Sequence, residues 1–189
     1  MNVRKMTAMA LFLALAVVLS YVESFIPFWL PGVKPGLANL VILLLLYGYD
    51  WYDALIVDVA RVFLAGLLRG TIFQMPFFMS LAGALASFLV MWLAKVCFKK
   101  LTIYGVSLLG AYFHSLAQVL VGVIFLSTWG VFYYFPFISL LSMATGILTA
   151  LLAERILKTK VIQRAGGKPM ENDVLTEPIK RDSTESDNK

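Results

Sequence analysis

The sequence predicts an all-α integral membrane protein, a bundle of about six transmembrane helices, and three observations point there. Hydrophobic residues make up 60% of the chain and charged residues 14%, against roughly 45–50% and about 25% in soluble domains. A chain of 189 residues has no soluble interior large enough to hide that much apolar surface. The charges also cut the chain into apolar runs instead of scattering through it. One run, residues 101–153, carries no Lys, Arg, Asp or Glu; it is too long for one crossing and suits two. A soluble enzyme, a nucleic-acid binder and a disulfide scaffold are excluded on these grounds. The single cysteine, Cys97, rules out an internal disulfide, and the single histidine, His114, rules out bis-histidine haem within one chain.

The first helix is expected over residues 6–22, which carry no charge and follow Arg4 and Lys5. The run resembles a signal peptide, but no clean small-residue cleavage site follows and many apolar segments do, so it reads as an uncleaved helix. Residues 27–36 hold Pro27, Pro31, Pro35, Gly32 and Gly36, which cannot continue a helix; they predict a wide turn or a re-entrant segment. Residues 37–49 are apolar but short: at about 1.5 Å per residue they cover only about 20 Å of a core about 30 Å thick. They must borrow length from residues 50–53 or form a partial helix. Residues 53–70 make a third helix that carries Asp58 and Arg61, and residues 70–94 a fourth, with Pro76 near its start. The run 101–153 divides into helices five and six at residues 127–130, with Trp129, Tyr133 and Tyr134 as interfacial aromatics.

Residues 1–157 are therefore expected to form the transmembrane domain, and residues 158–189 a disordered cytoplasmic tail, rich in Lys, Glu, Asp, Ser and Thr and without aromatics. Arg4, Lys5, Lys95, Lys99, Lys100, Arg155, Lys158, Lys160 and Arg164 fall on one side, and only Lys34 and Arg69 on the other. The positive-inside rule gives both termini to the cytoplasm, in a multi-pass protein of the cell membrane.

Polar groups at membrane depth cost at least about 2.5–3.5 kcal/mol each on insertion scales, so they need a partner or a wet cavity. Asp58 and Arg61 lie three apart and share a helix face. They are either a self-neutralising pair that fixes packing, or a guanidinium held in place to meet an anionic ligand. His114 and Gln118, four apart, are either an interhelical hydrogen-bonding seam or a pair that reads polar cargo. Glu23 and Asn39 flank the broken segment, where freed backbone groups favour a cavity. The candidate binding residues are Glu23, Asn39, Arg61, His114 and Gln118. Small residues on helices one, four and six favour close helix approach.

No catalytic set can be assembled, and no cofactor or metal is expected. Gly166-Gly-Lys168 is not a nucleotide-binding loop, because Ile162 stands where its first glycine belongs and Pro169 follows the lysine. The magnesium-binding carboxylate clusters of prenyl diphosphate chemistry have only Asp50 and Asp53 as a faint counterpart.

Four stretches carry a resemblance. Lys34-Pro-Gly-Leu-Ala-Asn39 is similar to a K-x-G-L-A-N element. Arg61-Val-Phe-Leu-Ala-Gly66 precedes Leu-Leu-Arg69-Gly70-Thr. The run from Ser80 to Ser87 resembles S-L-x-G-G-x-x-S, and that from Gly105 to Gln118 resembles G-V-S-x-x-G-A-x-x-H-N-x-G-Q. Over residues 5–155 the chain resembles the membrane proteins named heptaprenyl diphosphate synthase component I, also called the Gx transporter family. That family is similar to the substrate-binding S-components of energy-coupling factor (ECF) transporters. The resemblance implies a six-helix subunit, not itself an enzyme, that takes up a small anionic or vitamin-like molecule. A transmembrane coupling subunit and ATPases on other chains would drive it. It also implies a docking face on helix one at Ala8, Ala10 and Ala14. Two alternatives come with the same family. One is a membrane partner for an extracytoplasmic flavin-linked or quinone electron-transfer protein; the other is a non-catalytic subunit of polyprenyl diphosphate synthesis.

Overall fold

The computed structural model describes residues 3–25, 34, 36–98, 101–159, 162, 165 and 167. Pro27, Pro31, Pro35, Lys99, Lys100 and the expected tail from 168 onward lie outside the described residues. Six α-helices and a short 3-10 turn make up the fold, with no strand among the described residues. They are α1 (Val3–Glu23), α2 (Asn39–Gly48), α3 (Trp51–Leu68), α4 (Met75–Cys97), α5 (Ile103–Leu126) and α6 (Phe135–Lys158), the 3-10 turn spanning Trp129–Tyr134. Helices α1, α4 and α5, and α6 together with the turn before it, are each long and apolar enough to cross a membrane. The chain is an all-α integral membrane protein.

Helix α2 is the axis of the bundle. Its ten residues, Asn-Leu-Val-Ile-Leu-Leu-Leu-Leu-Tyr-Gly, are all buried, as a helix that is apolar on every side must be. Around it α1 packs on α3, α3 on α4, α4 on α5 and α5 on α6. Of the two outcomes open for α2, the partial helix is the one observed. The chain leaves helical geometry at Tyr49, and Asp50 starts α3, its N–H donating to the Asp53 carboxylate at 3.3 Å. At about 1.5 Å per residue α2 spans only half of a hydrocarbon core. The connection from α1 must therefore enter the bundle to reach it. Lys34 and Ala38 on that connection are buried, so its described part is re-entrant.

One end of the bundle gathers the start of α1 and the ends of α2, α4 and α6. Lys5 bridges Asp50 (3.2 Å) and Asp53 (2.6 Å), fastening α1 to the head of α3. Lys95 donates to the Leu46 carbonyl at 2.6 Å and lies over the Tyr47 ring, closing the negative end of α2. We call this the basic end. The opposite, aromatic end carries the α3–α4 turn and the 3-10 turn with exposed Trp129 and Tyr133. The break between α5 and α6 is longer than residues 127–130: Ser127 takes a left-handed conformation (φ 48°) and the 3-10 turn runs on to Tyr134 before Pro136 starts α6. Gly70 (φ 62°) ends α3, where a residue without Cβ is favoured.

Past α6, three described residues lie against the bundle. Ile162 is only 2% exposed and joins the main core cluster. Tyr49 Oη donates to the Ala165 carbonyl at 3.1 Å, and Gly167 N–H to the Ile162 carbonyl at 2.9 Å. A Cβ on Gly48 would stand 2.6 Å from Ile162 Cγ2, so glycine at the end of α2 makes the seat for that side chain.

Candidate functional site

A buried polar cluster occupies the half of the bundle nearer the aromatic end. Ser80 lies between one and two turns into α4, and Gln118 about two turns before the end of α5. Five helices, α1 to α5, and the described part of the connection between α1 and α2 contribute.

Its centre is Arg61. The guanidinium donates from Nε to Asp58 Oδ1 at 2.6 Å, from Nη1 to Ser20 Oγ at 3.1 Å and from Nη2 to Asn39 Oδ1 at 3.2 Å. Asp58 and Arg61 are 1% and 4% exposed. The i,i+3 spacing on α3 sets up the ion pair, and the contacts to Ser20 and Asn39 tie α1 and α2 to it. Glu23, buried at the end of α1, accepts the Ala38 N–H at 3.2 Å and so holds the chain entering α2. Its carboxylate favours the positive end of that helix.

The second half of the cluster is built on α4 and α5. Lys34 N–H donates to Gln118 Oε1 at 3.1 Å, which fixes the amide. The Gln118 amide nitrogen then faces His114 Nε2 at 2.9 Å. An amide NH2 only donates, so His114 Nε2 accepts and the ring is neutral with its proton on Nδ1. Nδ1 lies against Gly83 and has no hydrogen-bond partner among the described residues. A Cβ on Gly83 would come within 3.0 Å of both His114 and Gln118, so Gly83 gives the pair its room. The Lys34 ammonium donates to Ser80 Oγ at 2.8 Å, and the Ser80 hydroxyl donates in turn to the Pro76 carbonyl at 2.8 Å.

Arg69, at the end of α3, is half-buried and bonds back to the Ala65 carbonyl at 2.9 Å. Burial draws its pKa below the ordinary value, and the Glu23 carboxylate works against that shift. Three cationic side chains (Lys34, Arg61, Arg69) and the Glu23 carboxylate thus line one cavity, with Asp58 behind it as the ion-pair partner of Arg61. The cavity measures about 10 Å³, room for about one water.

The structure brings Glu23, Asn39, Arg61, His114 and Gln118 into one region. It does not leave Arg61 as an open fork, because each of its three nitrogens already has an acceptor from the chain. Sequence reasoning missed Lys34, Ser20 and Ser80. Lys34 was read as a charge on the outer side and as the first residue of the K-x-G-L-A-N element; the signal for more was its place just before a helix too short to span.

The three alanines of helix one do not share a face. Ala10 and Ala14 are exposed, whereas Ala8 is buried with Ala16 on the inner side. Two residues turn a helix by about 200°, so Ala8 cannot join Ala10. Among the described residues, no group of three or more His, Cys, Asp or Glu could hold a metal ion.

No curated protein and no solved structure matches the chain significantly. The family model described as heptaprenyl diphosphate synthase component I matches residues 12–156, which takes in every helix from α1 to α6 and the whole polar cluster. A match over that much of the chain makes it a member of the heptaprenyl diphosphate synthase component I family.

Proposed function

We propose that the protein is the membrane-embedded, substrate-binding subunit of an uptake system for a small anionic or vitamin-like molecule, similar to an ECF S-component. The observation that carries this reading is the cluster around Arg61 and Lys34. A bundle that needed only stability would not bury two cations and two carboxylates, with a third cation half-buried beside them, since each buried charge costs several kcal/mol at membrane depth. With one positive charge in excess, the cluster favours an anion. The chain carries no nucleotide-binding loop, so energy would come from ATPases on other chains, linked by a transmembrane coupling subunit. Helix α1 is the span with the smallest buried share, and Ala10 and Ala14 on its exposed side suit close approach of a partner helix.

The family description favours a second reading, a non-catalytic subunit of heptaprenyl diphosphate synthesis. Mass spectrometry of the detergent-purified full chain, with its co-purified proteins, separates the two. A small acidic molecule together with a coupling subunit and ATPases is the expected result. A soluble prenyl synthase as the stable partner, with no small molecule bound, would overturn the transport reading. A flavinylated extracytoplasmic protein would replace it with the electron-transfer alternative.

A further inference from the structure

Among the described residues, the cluster contains one deeply buried cation with no carboxylate in direct contact; the buried Glu23 carboxylate acts on it only from across the cavity. Lys34 is 6% exposed, and among the described residues no carboxylate lies within ion-pair distance of its ammonium. Its one side-chain partner is a neutral hydroxyl, Ser80 Oγ, at 2.8 Å. An ammonium has three protons to give, and a buried charge is tolerated when paired. Arg61 is the opposite case in charge, since Asp58 meets it directly, and three of its five N–H groups already hold Asp58, Ser20 and Asn39. The unsatisfied buried side-chain atoms of the cluster are also donors. Asn39 Oδ1 is taken by Arg61, which turns Nδ2 away, and Nδ2 has no acceptor among the described residues. Gly36 (φ 87°), between Lys34 and Asn39 in the chain, leaves open the place where a Cβ would sit 3.0 Å from that Nδ2. The cluster is thus short of acceptors and of one negative charge.

We propose that Lys34, and not Arg61, is the cation that receives the cargo, and that the group it receives is an oxyanion, a carboxylate or a phosphate. Arg61 keeps a positioning role, holding Asn39 and Ser20 in place. This rests on the binding reading above, and it assigns the specificity of that site to a residue of the re-entrant connection. A cavity with room for one water means that the oxyanion takes over the contact now made by Ser80.

The experiment is thermal unfolding of the full chain in detergent with sodium acetate or sodium phosphate, against sodium chloride at matched ionic strength and neutral acetamide. The wild type is expected to gain in Tm with acetate or phosphate; the arm that works names the oxyanion, and both fall within the proposal. Lys34→Gln is expected to lose that gain, and Lys34→Arg to keep it. Without any added anion, Lys34→Gln is expected to melt no lower than the wild type, because it removes an unpaired buried charge and leaves the backbone bond to Gln118 in place. An anion-dependent gain that survives in Lys34→Gln overturns the proposal, and so does a lowered Tm of Lys34→Gln without anion, which marks a structural lysine. No gain in the wild type with either anion, while a small acidic molecule still co-purifies, overturns the assignment to Lys34 alone. No gain and no co-purifying molecule overturn the binding reading as well.

Discussion

Taking Arg61 away by itself leaves Asp58 charged, 1% exposed and without its partner. Breaking a buried pair from one side costs about 3–5 kcal/mol, whereas replacing both members by neutral groups is often close to neutral. Arg61→Ala is therefore expected to lower the unfolding midpoint steeply in detergent. Asp58→Asn combined with Arg61→Gln is expected to recover most of the loss. Equal damage in the single and the double variant would mean that the contacts to Ser20 and Asn39, and not the charge balance, hold the cluster. The Asp58–Arg61 pair was legible in the sequence because both residues sit on one helix at a spacing that fixes their separation. The same holds for His114 and Gln118. Lys34 was not legible, because its burial depends on Ser80 and Gln118, 46 and 84 residues away. No local pattern carries such contacts.

At the scale of the element, α2 and the segment after α6 explain each other. Residues 39–48 present no polar face, which marks the helix as interior, and its ten residues cannot reach both membrane surfaces. Its basic end must be closed, and Lys95 and Ile162 close it. The residues after 157 are rich in Lys and Thr, and one isoleucine among them fills the hollow over Gly48. Replacing a buried isoleucine by alanine costs about 2–5 kcal/mol, so Ile162→Ala is expected to destabilise the bundle by about that amount. A chain ending at Thr159 should lose at least as much, while one ending after Gly167 should melt like the full chain. Equal melting of all three would show that Ile162 contributes nothing to the fold. A matched pair of variants probes the α5–α6 seam. A Cβ on Gly146 would meet the Ala111 Cβ at 2.9 Å, with the Ser107 carbonyl also close. Gly146→Ala is thus expected to cost about 1–3 kcal/mol by overpacking, and Ala111→Gly in the same chain to relieve part of it.

Across the whole molecule, charge and aromatic side chains lie at opposite ends. Arg4, Lys5, Lys95, Arg155 and Lys158 belong to the end where α1 starts and α4 and α6 finish. Trp129, Tyr133 and Tyr134 cap the other end, where the described cations are Arg69 and the inward-turned Lys34. Six alternating helices bring the start of α1 and the end of α6 to the same side, as the contact of Gly48 with Ile162 and the hold of Lys5 on Asp50 require. Since Lys and Arg near span ends set orientation, the basic end is expected in the cytoplasm and the aromatic end outside. Cysteines placed singly at Tyr133 and at Lys189, in a Cys97→Ser background, test this with a membrane-impermeant maleimide on intact cells. Labelling at 133 without lysis, and at 189 only after lysis, is the expected pattern. The reverse would turn the polar cluster toward the cytoplasm, because it lies in the aromatic half of the bundle. A binding site opening to that side could not collect a molecule from outside, so the uptake reading stands or falls with this orientation.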